Sequence, residues 1–147
     1  MHVVIATDGS AQSLAAARQL KSFADPARIT DVSVVAVVSP MATVPFANEL
    51  SGGPPSEAAD ATGLSFRDEA GAATLAVAAE FDHWGVRVHR QVRSGSPAAQ
   101  IVEAATELGA GLVVLASGSR GLSPSVLLGS TAQRVQHSAP CPVLITR

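Results

Sequence analysis

Short apolar runs rich in β-branched residues alternate along this chain with stretches in which apolar residues recur every three or four positions. The short runs predict buried strands, and the longer spacing predicts helices. Strands that alternate with helices form a parallel sheet that is covered on both faces. The predicted strands cover residues 3–6, 32–38, 86–92, 112–116 and 143–146. We therefore expect a single α/β domain with a five-stranded parallel sheet and helices on both faces.

The third strand is expected at an edge of the sheet, because valines alternate with polar residues over 86–92. Arg87, Arg90 and Arg93 form a basic cluster there. No aromatic residues interleave these arginines, and the net charge of the chain is −2. The pattern favours a solvated strand face over a nucleic-acid-binding surface.

Several residues predict where the helices begin and end. Ser10 is a candidate N-cap for the first helix, which should end before Pro26. The second helix is predicted over 65–84 from its apolar spacing. Ser96 and Pro97 are the residue types that favour the N-cap and the first position of a helix. These signals place four helices between the five strands when the final helix, 130–137, is included.

Residues 40–62 interrupt this alternation with prolines, glycines and no usable periodicity. A loop of such length in a small domain is a ligand lid, a partner-binding loop or a disordered surface segment. The sequence leaves all three open. We therefore predict one domain over 1–147 that contains a long loop at 40–62.

The bulk composition limits the classes of protein that the chain can represent. With 147 residues, 47% of them apolar, the chain can build one hydrophobic core. No apolar run reaches the roughly 18 residues of a membrane span, and the first residues lack the features of a signal peptide. We expect a cytoplasmic protein with no membrane contact. Cys141 is the single cysteine, which excludes an internal disulfide and predicts a buried, inert thiol.

Small residues follow the fourth strand and precede the last helix. Gly-Ser-Arg-Gly occupies 118–121, just past a strand end, and Gly129, Ser130 and Thr131 stand at the helix start. Backbone N–H groups in such positions bind phosphate. Ser130 and Gln133 also fit a capping box, which needs no ligand. The phosphate site and the plain helix cap both remain open.

Several catalytic and metal-binding classes are excluded or unsupported. No G-K-S or G-K-T motif occurs, and Lys21 is the only lysine, so the chain is not a P-loop NTPase. The four histidines, at 2, 83, 89 and 137, do not have metal-ligand spacing. No Ser-His-Asp arrangement can be assigned from spacing. We expect no metal site built from side chains and no assembled catalytic residues.

The chain resembles the universal stress protein family from Val3 to Arg147. The resemblance rests on motifs in the family's order. They are Ile-Ala-Thr-Asp-Gly-Ser at 5–10 with Ser13 following, Gly-Ser-Pro-Ala at 95–98, Leu-Leu-Gly-Ser at 127–130 and Ala-Pro-Cys-Pro-Val-Leu-Ile at 139–145. The resemblance implies a Rossmann-like domain of the adenine nucleotide α-hydrolase-like type, usually a homodimer. Many members of the family bind ATP, and others do not.

The ATP-binding members carry G-x-x-G, nine further residues and then G-S or G-T, with alanine sometimes at the first position. Counting back from Gly129 places Ala116 and Ser119 at the first two positions. Gly118 and Gly121 have the right mutual spacing, but only seven residues separate Gly121 from Gly129. Either the loop is two residues shorter or Ser119 replaces the second glycine. We favour the second alternative, in which serine at a positive φ would cost about 1–2 kcal/mol.

The resemblance also implies a nucleotide site at the strand ends. It places Asp8 near the ribose or adenine, where a carboxylate accepts hydrogen bonds, and Ala6 and Val37 against the base. From the residues alone, Asp8 could equally be a turn acid, and Ala6 and Val37 core residues. Arg120 could pair with phosphate or be solvated. The predicted site comprises Ala6, Asp8, Val37, Ala116, Ser117, Gly118, Ser119, Arg120, Gly129, Ser130 and Thr131.

The function that the resemblance implies is regulatory. The chain would bind ATP, with Mg²⁺ bridging the phosphates, hydrolyse it slowly at most, and signal to a protein partner. The alternative is a dimeric stress-response interaction protein that binds no nucleotide. An enzyme acting on a phosphorylated small molecule is a third possibility. In the dimer, the last strand, Val143–Thr146, is expected to pair across a two-fold axis and cover the sheet edge.

Overall fold

The computed structural model describes residues 1–39, 55–117 and 129–147, with the backbone alone described over 55–65. The strands in these ranges are β1 (His2–Thr7), β2 (Asp31–Val38), β3 (Arg87–Ser94), β4 (Leu112–Ala116) and β5 (Val143–Thr146). The helices in the same ranges are α1 (Ala11–Phe23), α2 (Pro55–Ala79), α3 (Pro97–Glu107) and α4 (Ser130–Ser138), with a 3₁₀ turn at Pro26–Arg28.

The strands form one parallel sheet in the order β3-β2-β1-β4-β5. The chain winds from β1 through β2 to β3 on one side, then returns to place β4 and β5 on the other side. The strand order therefore reverses at β1, between β2 and β4. This arrangement confirms the predicted α/β, Rossmann-like fold and the position of β3 at an edge.

Two hydrophobic layers cover the sheet because successive strand residues face opposite sides. Val3 and Ile5 pack in the layer that contains residues of α1 and α2. Val4 and Ala6 pack in the layer that contains residues of α3 and α4. Val3, Val4 and Ile5 are completely buried. Burial on both faces explains why β1 is apolar without alternation.

The helix boundaries agree with the sequence at two starts and differ at α2. Ser10 is the N-cap of α1, and Ser96 precedes Pro97 at the start of α3. Helix α2 begins at Pro55, ten residues earlier than predicted, so 55–62 is helix and not loop. Proline suits the first turn of a helix, and the Ala-rich segment that follows it favours helix. The remainder of the predicted loop, 40–54, lies outside the described residues.

The basic edge strand is occupied by ion pairs. Arg87 lies 2.9 Å from Asp31, and Arg93 lies 2.8 Å from Glu107 of α3. Arg93 Nε also donates to Gln100 at 2.9 Å, so this side chain links β3 to α3. Arg87 and Arg93 therefore have structural partners, with the Arg87 side chain solvated and the Arg93 side chain only 17% exposed.

None of the helices in the described ranges is both long and apolar enough to cross a membrane. The thiol of Cys141 is half-buried, and burial raises its pKa.

Candidate functional site

A cavity of about 310 Å³ lies at the carboxyl ends of β1, β2 and β4. In open α/β sheets, ligands bind at this edge where the strand order reverses. The strands contribute Ala6, Thr7, Val35, Val37, Leu115 and Ala116 to its lining. The other lining residues are Asp8, Ser13, Pro97, Ile101 and 129–132.

The floor of the cavity is apolar and belongs to the core layer beneath α3 and α4. Ala6, Val35 and Leu115 are buried members of that layer, and Val37 packs against it. Alanine at the end of β1 and again at Ala116 leaves space that a larger side chain would fill. An apolar, concave surface of this kind suits a flat aromatic ring.

The turn after β1 places a carboxylate beside this floor. Asp8 Oδ1 accepts a hydrogen bond of 3.0 Å from the backbone N–H of Ser10. Gly9 has a φ of +78°, a conformation that favours glycine. Asp8 alone is charged among the described residues that line the cavity. The carboxylate can accept hydrogen bonds from a ligand but cannot donate them.

Two buried hydroxyls lie behind that turn. Thr7 Oγ1 and Ser13 Oγ are 2.8 Å apart, and Thr7 Oγ1 accepts from the N–H of Gly9 at 3.1 Å. Both side chains line the cavity. Neither was predicted as a site residue, although both fall within the first family motif.

The N-terminus of α4 forms the opposite wall. Gly129 is the N-cap, and its carbonyl accepts from the N–H of Gln133 at 3.0 Å. Ser130 is the first helical residue, so the predicted Ser130–Gln133 capping box is wrong. The chain turns into the helix one residue earlier, and no described side chain caps it. The first N–H groups of a helix lack acceptors within the helix and carry partial positive charge.

Seven of the predicted site residues line this one cavity. They are Ala6, Asp8, Val37, Ala116, Gly129, Ser130 and Thr131. Ser117 lies next to them but is not part of the lining, and its N–H donates to the Thr146 carbonyl at 2.8 Å. Gly118, Ser119 and Arg120 lie outside the described residues.

The lining also includes residues that were not predicted: Thr7, Ser13, Val35, Pro97, Ile101, Leu115 and Ala132. The apolar ones have the same sequence signature as core residues, so no pattern distinguishes them. Pro97 could have been predicted as a site residue, because it belongs to the Gly-Ser-Pro-Ala motif at the start of α3.

Across the ranges that the structure describes, no group of three or more His, Cys, Asp or Glu residues could hold a metal ion. A metal ion at the cavity would therefore have Asp8 as its one described protein carboxylate. That donor set fits Mg²⁺ that arrives bound to ligand phosphates, because Mg²⁺ commonly takes one or two carboxylates together with phosphate oxygens and water.

The chain is similar to known proteins over its whole length. The family model described as "Universal stress protein family" matches residues 1–147. A universal stress protein of Methanocaldococcus jannaschii, MJ0531, is 35% identical over 150 residues, which cover 99% of this chain and 81% of the relative.

Solved structures share the fold at low sequence identity. The hypothetical protein MJ0577 superposes with a TM-score of 0.81 at 20% identity, covering 99% of this chain and 94% of its own. An Arabidopsis thaliana universal stress protein with AMP bound has a TM-score of 0.64 at 16% identity, covering 99% and 90%. A universal stress protein in complex with cAMP has a TM-score of 0.59 at 23% identity, covering 100% and 96%. The whole-chain family match and the 35% identical relative together show that this chain belongs to the universal stress protein family.

Proposed function

We propose that this chain is a regulatory protein that binds an adenine nucleotide in the cavity at the strand ends. The observation that carries the proposal is the composition of the cavity walls. An apolar floor, a carboxylate and the N-terminus of α4 surround one space of about 310 Å³. These are the three surfaces that a base, a ribose and a phosphate need.

The base fits the floor, and the sugar fits the turn after β1. Ala6, Val35 and Val37 present aliphatic groups against which an adenine ring can pack. The Asp8 carboxylate accepts from a ribose hydroxyl or from the adenine amino group. A hydrogen bond from the adenine amino group to Asp8 would favour adenine over bases that carry a carbonyl in place of this amino group.

The phosphates fit the opposite wall. Backbone N–H groups in the first turn of α4 are suited to an anion. Gly118, Ser119 and Arg120 are proposed to join this wall on sequence grounds, since the segment that contains them connects Ala116 and Gly129, both of which line the cavity. ATP with Mg²⁺ is the proposed physiological form, with the metal held by the phosphates.

Two of the similar solved structures support an adenine nucleotide as the ligand class. One is described with AMP bound and the other in complex with cAMP. A binding role with little or no catalysis is proposed, because the cavity wall holds one carboxylate and hydroxyls but no described histidine, lysine or cysteine. The sequence-based expectation of a cytoplasmic protein agrees with this role.

The proposal is tested by asking what the protein carries from the cell. The protein is purified without added nucleotide and denatured, and the supernatant is separated by liquid chromatography against ATP, ADP, AMP and cAMP standards. We expect an adenine nucleotide in the wild-type supernatant and much less from Asp8→Ala. The proposal is wrong if the wild-type supernatant contains no adenine nucleotide and calorimetry with millimolar Mg-ATP, AMP and cAMP detects no binding.

We also propose a homodimer in which β5 pairs with its counterpart. The two sheet edges differ. Arginines occupy β3, whereas β5 carries partly buried Val143, Leu144 and Ile145. The carbonyl of Pro142 accepts from the N–H of Val113 in β4, and the carbonyl of Thr146 accepts from the N–H of Ser117, directly after β4. The alternation of a parallel ladder therefore directs the N–H groups of Val143 and Ile145 to the free edge, where a second strand can accept them.

This edge also motivates the alternative function, a dimeric interaction protein without nucleotide. The two functions predict different effects of added nucleotide on the thermal stability of the protein. A nucleotide-dependent regulator changes its thermal stability when AMP or Mg-ATP is added. An interaction protein without a nucleotide site does not, while its sedimentation still reports a dimer.

A further inference from the structure

We propose that Thr7 and Ser13 are positioning residues that hold the Asp8 carboxylate in place for the ligand. The inference rests on the proposed function and states how the Asp8 carboxylate is oriented to recognise the nucleotide. Thr7 is 6% exposed and Ser13 is 2% exposed, yet both line the cavity. Buried hydroxyls need partners, and here the partners lie within the turn that carries Asp8.

The hydrogen bonds of this turn fix where each hydroxyl proton lies. Ser13 Oγ donates to the Ser10 carbonyl at 2.8 Å, which uses the single proton of that hydroxyl. The 2.8 Å contact between Thr7 Oγ1 and Ser13 Oγ must then use the proton of Thr7. Thr7 Oγ1 in turn accepts from the Gly9 N–H at 3.1 Å. Neither hydroxyl retains a proton to donate to a ligand.

The same bonds determine the geometry of the turn. Ser10 is held by its carbonyl and also by its hydroxyl, which accepts from the Ser13 N–H at 3.2 Å. The Ser10 N–H donates to Asp8 Oδ1 at 3.0 Å, so the carboxylate is oriented by a residue that Ser13 fixes. Gly9 has a φ of +78°, and its N–H donates to Thr7 Oγ1, so the residues on both sides of Asp8 are bonded to each other. Ser13 therefore acts on the ligand through Asp8.

The chemical consequence is a preference for ligands that donate a hydrogen bond to Asp8. A fixed carboxylate discriminates more strongly than a mobile one, because misplacement weakens the directed bond. Loss of either hydroxyl should weaken binding of such a ligand about three- to tenfold, the worth of one hydrogen bond. A ligand that lacks the donor should bind the variants and the wild type alike.

The experiment is a calorimetric comparison of AMP with analogues that each lack one donor: 2′-deoxy-AMP, 3′-deoxy-AMP and purine riboside 5′-monophosphate, which lacks the 6-amino group. The analogue that binds the wild type and Asp8→Ala with equal affinity identifies the group that Asp8 contacts. The variants are Ser13→Ala, Thr7→Val and Thr7→Ser, the last of which keeps the hydroxyl. Ser22→Ala is the matched control, since the Ser22 hydroxyl donates to the Gln19 carbonyl at 2.7 Å in the same helix, away from the cavity.

We expect Ser13→Ala and Thr7→Val to lose affinity for AMP but not for the identified analogue, and Thr7→Ser and Ser22→Ala to retain wild-type affinity. Adding Ser13→Ala to Asp8→Ala should cause little further loss, because the two residues act as one unit. Equal losses for AMP and every analogue, or no loss for Ser13→Ala and Thr7→Val, would overturn the inference while leaving nucleotide binding intact. If the wild type binds none of the four nucleotides and also binds neither Mg-ATP nor cAMP, the proposed function itself fails.

Discussion

Gly9 offers the sharpest test of the link between backbone geometry and binding. Its φ is +78°, and a Cβ added there would lie 3.6 Å from Ala73 Cβ, an ordinary contact. Gly9→Ala therefore introduces backbone strain without a clash. The left-handed conformation costs an alanine about 1–2 kcal/mol. A less flexible unfolded chain offsets roughly 0.4–1 kcal/mol of this. The expected net loss of stability is about 1 kcal/mol.

Gly85 provides the matched control for this substitution. Its φ is +83°, and an added Cβ would meet nothing within 4 Å. Gly85→Ala should therefore lose a similar free energy of unfolding, but it lies between α2 and β3, away from the cavity lining. Urea denaturation monitored by circular dichroism measures both losses, and calorimetry with AMP measures binding.

We expect both variants to unfold at lower urea concentration and only Gly9→Ala to bind AMP more weakly. Strain at Gly9 moves Asp8, whereas strain at Gly85 moves nothing that lines the cavity. Two results would refute this reasoning. One is unchanged AMP affinity in a destabilised Gly9→Ala protein, and the other is an equal loss of affinity in Gly85→Ala.

Three further predictions concern the loop, the dimer edge and pH. Ser119→Gly should raise Mg-ATP affinity about tenfold if Ser119 occupies the family's second glycine position, and unchanged affinity would favour the shorter-loop alternative. Ile145→Pro removes an outward N–H at an edge where proline is tolerated, so ultracentrifugation should show monomer, and a persistent dimer would contradict pairing through β5. Burial lowers the pKa of His2 below its usual 6.5. This group therefore leaves stability unchanged above pH 6.5 and reduces it as the pH falls from 6.5 to the lower folded pKa, below which the loss is constant. His2→Gln should flatten that part of the stability curve, and an unaltered curve would exclude His2 as the titrating group.

The strand pattern of this protein could be predicted because burial leaves a direct trace in the sequence. A strand such as β1, covered on both faces, needs apolar residues throughout, whereas β3, at an edge, carries polar and charged residues at most positions. The start of α2 could not be predicted, because Pro55 follows two glycines and another proline, a composition that is typical of a loop. Proline serves loops and first helical turns equally well, so composition could not separate the two.

The candidate site was predictable where polar or small residues follow a strand or stand at the start of a helix. Asp8 and Gly129 are of this kind, and the structure brings them to one cavity. Ile101 and Leu115 could not be distinguished from core residues, because they are buried members of the core layer and also line the cavity. The choice of Ser130 as cap was wrong because glycine and serine both suit that position, and the order of residues does not decide between them.

The most direct test of nucleotide binding at the cavity is amide chemical-shift mapping of ¹⁵N-labelled protein during addition of AMP and then Mg-ATP. We expect saturable shifts at residues 7–9 and 129–132, on the two walls, and no comparable shifts at the exposed edge of β3. Asp8→Ala should shift the titration to higher nucleotide concentration. Absence of shifts at millimolar nucleotide, or shifts confined to residues that do not line the cavity, would contradict the proposed site.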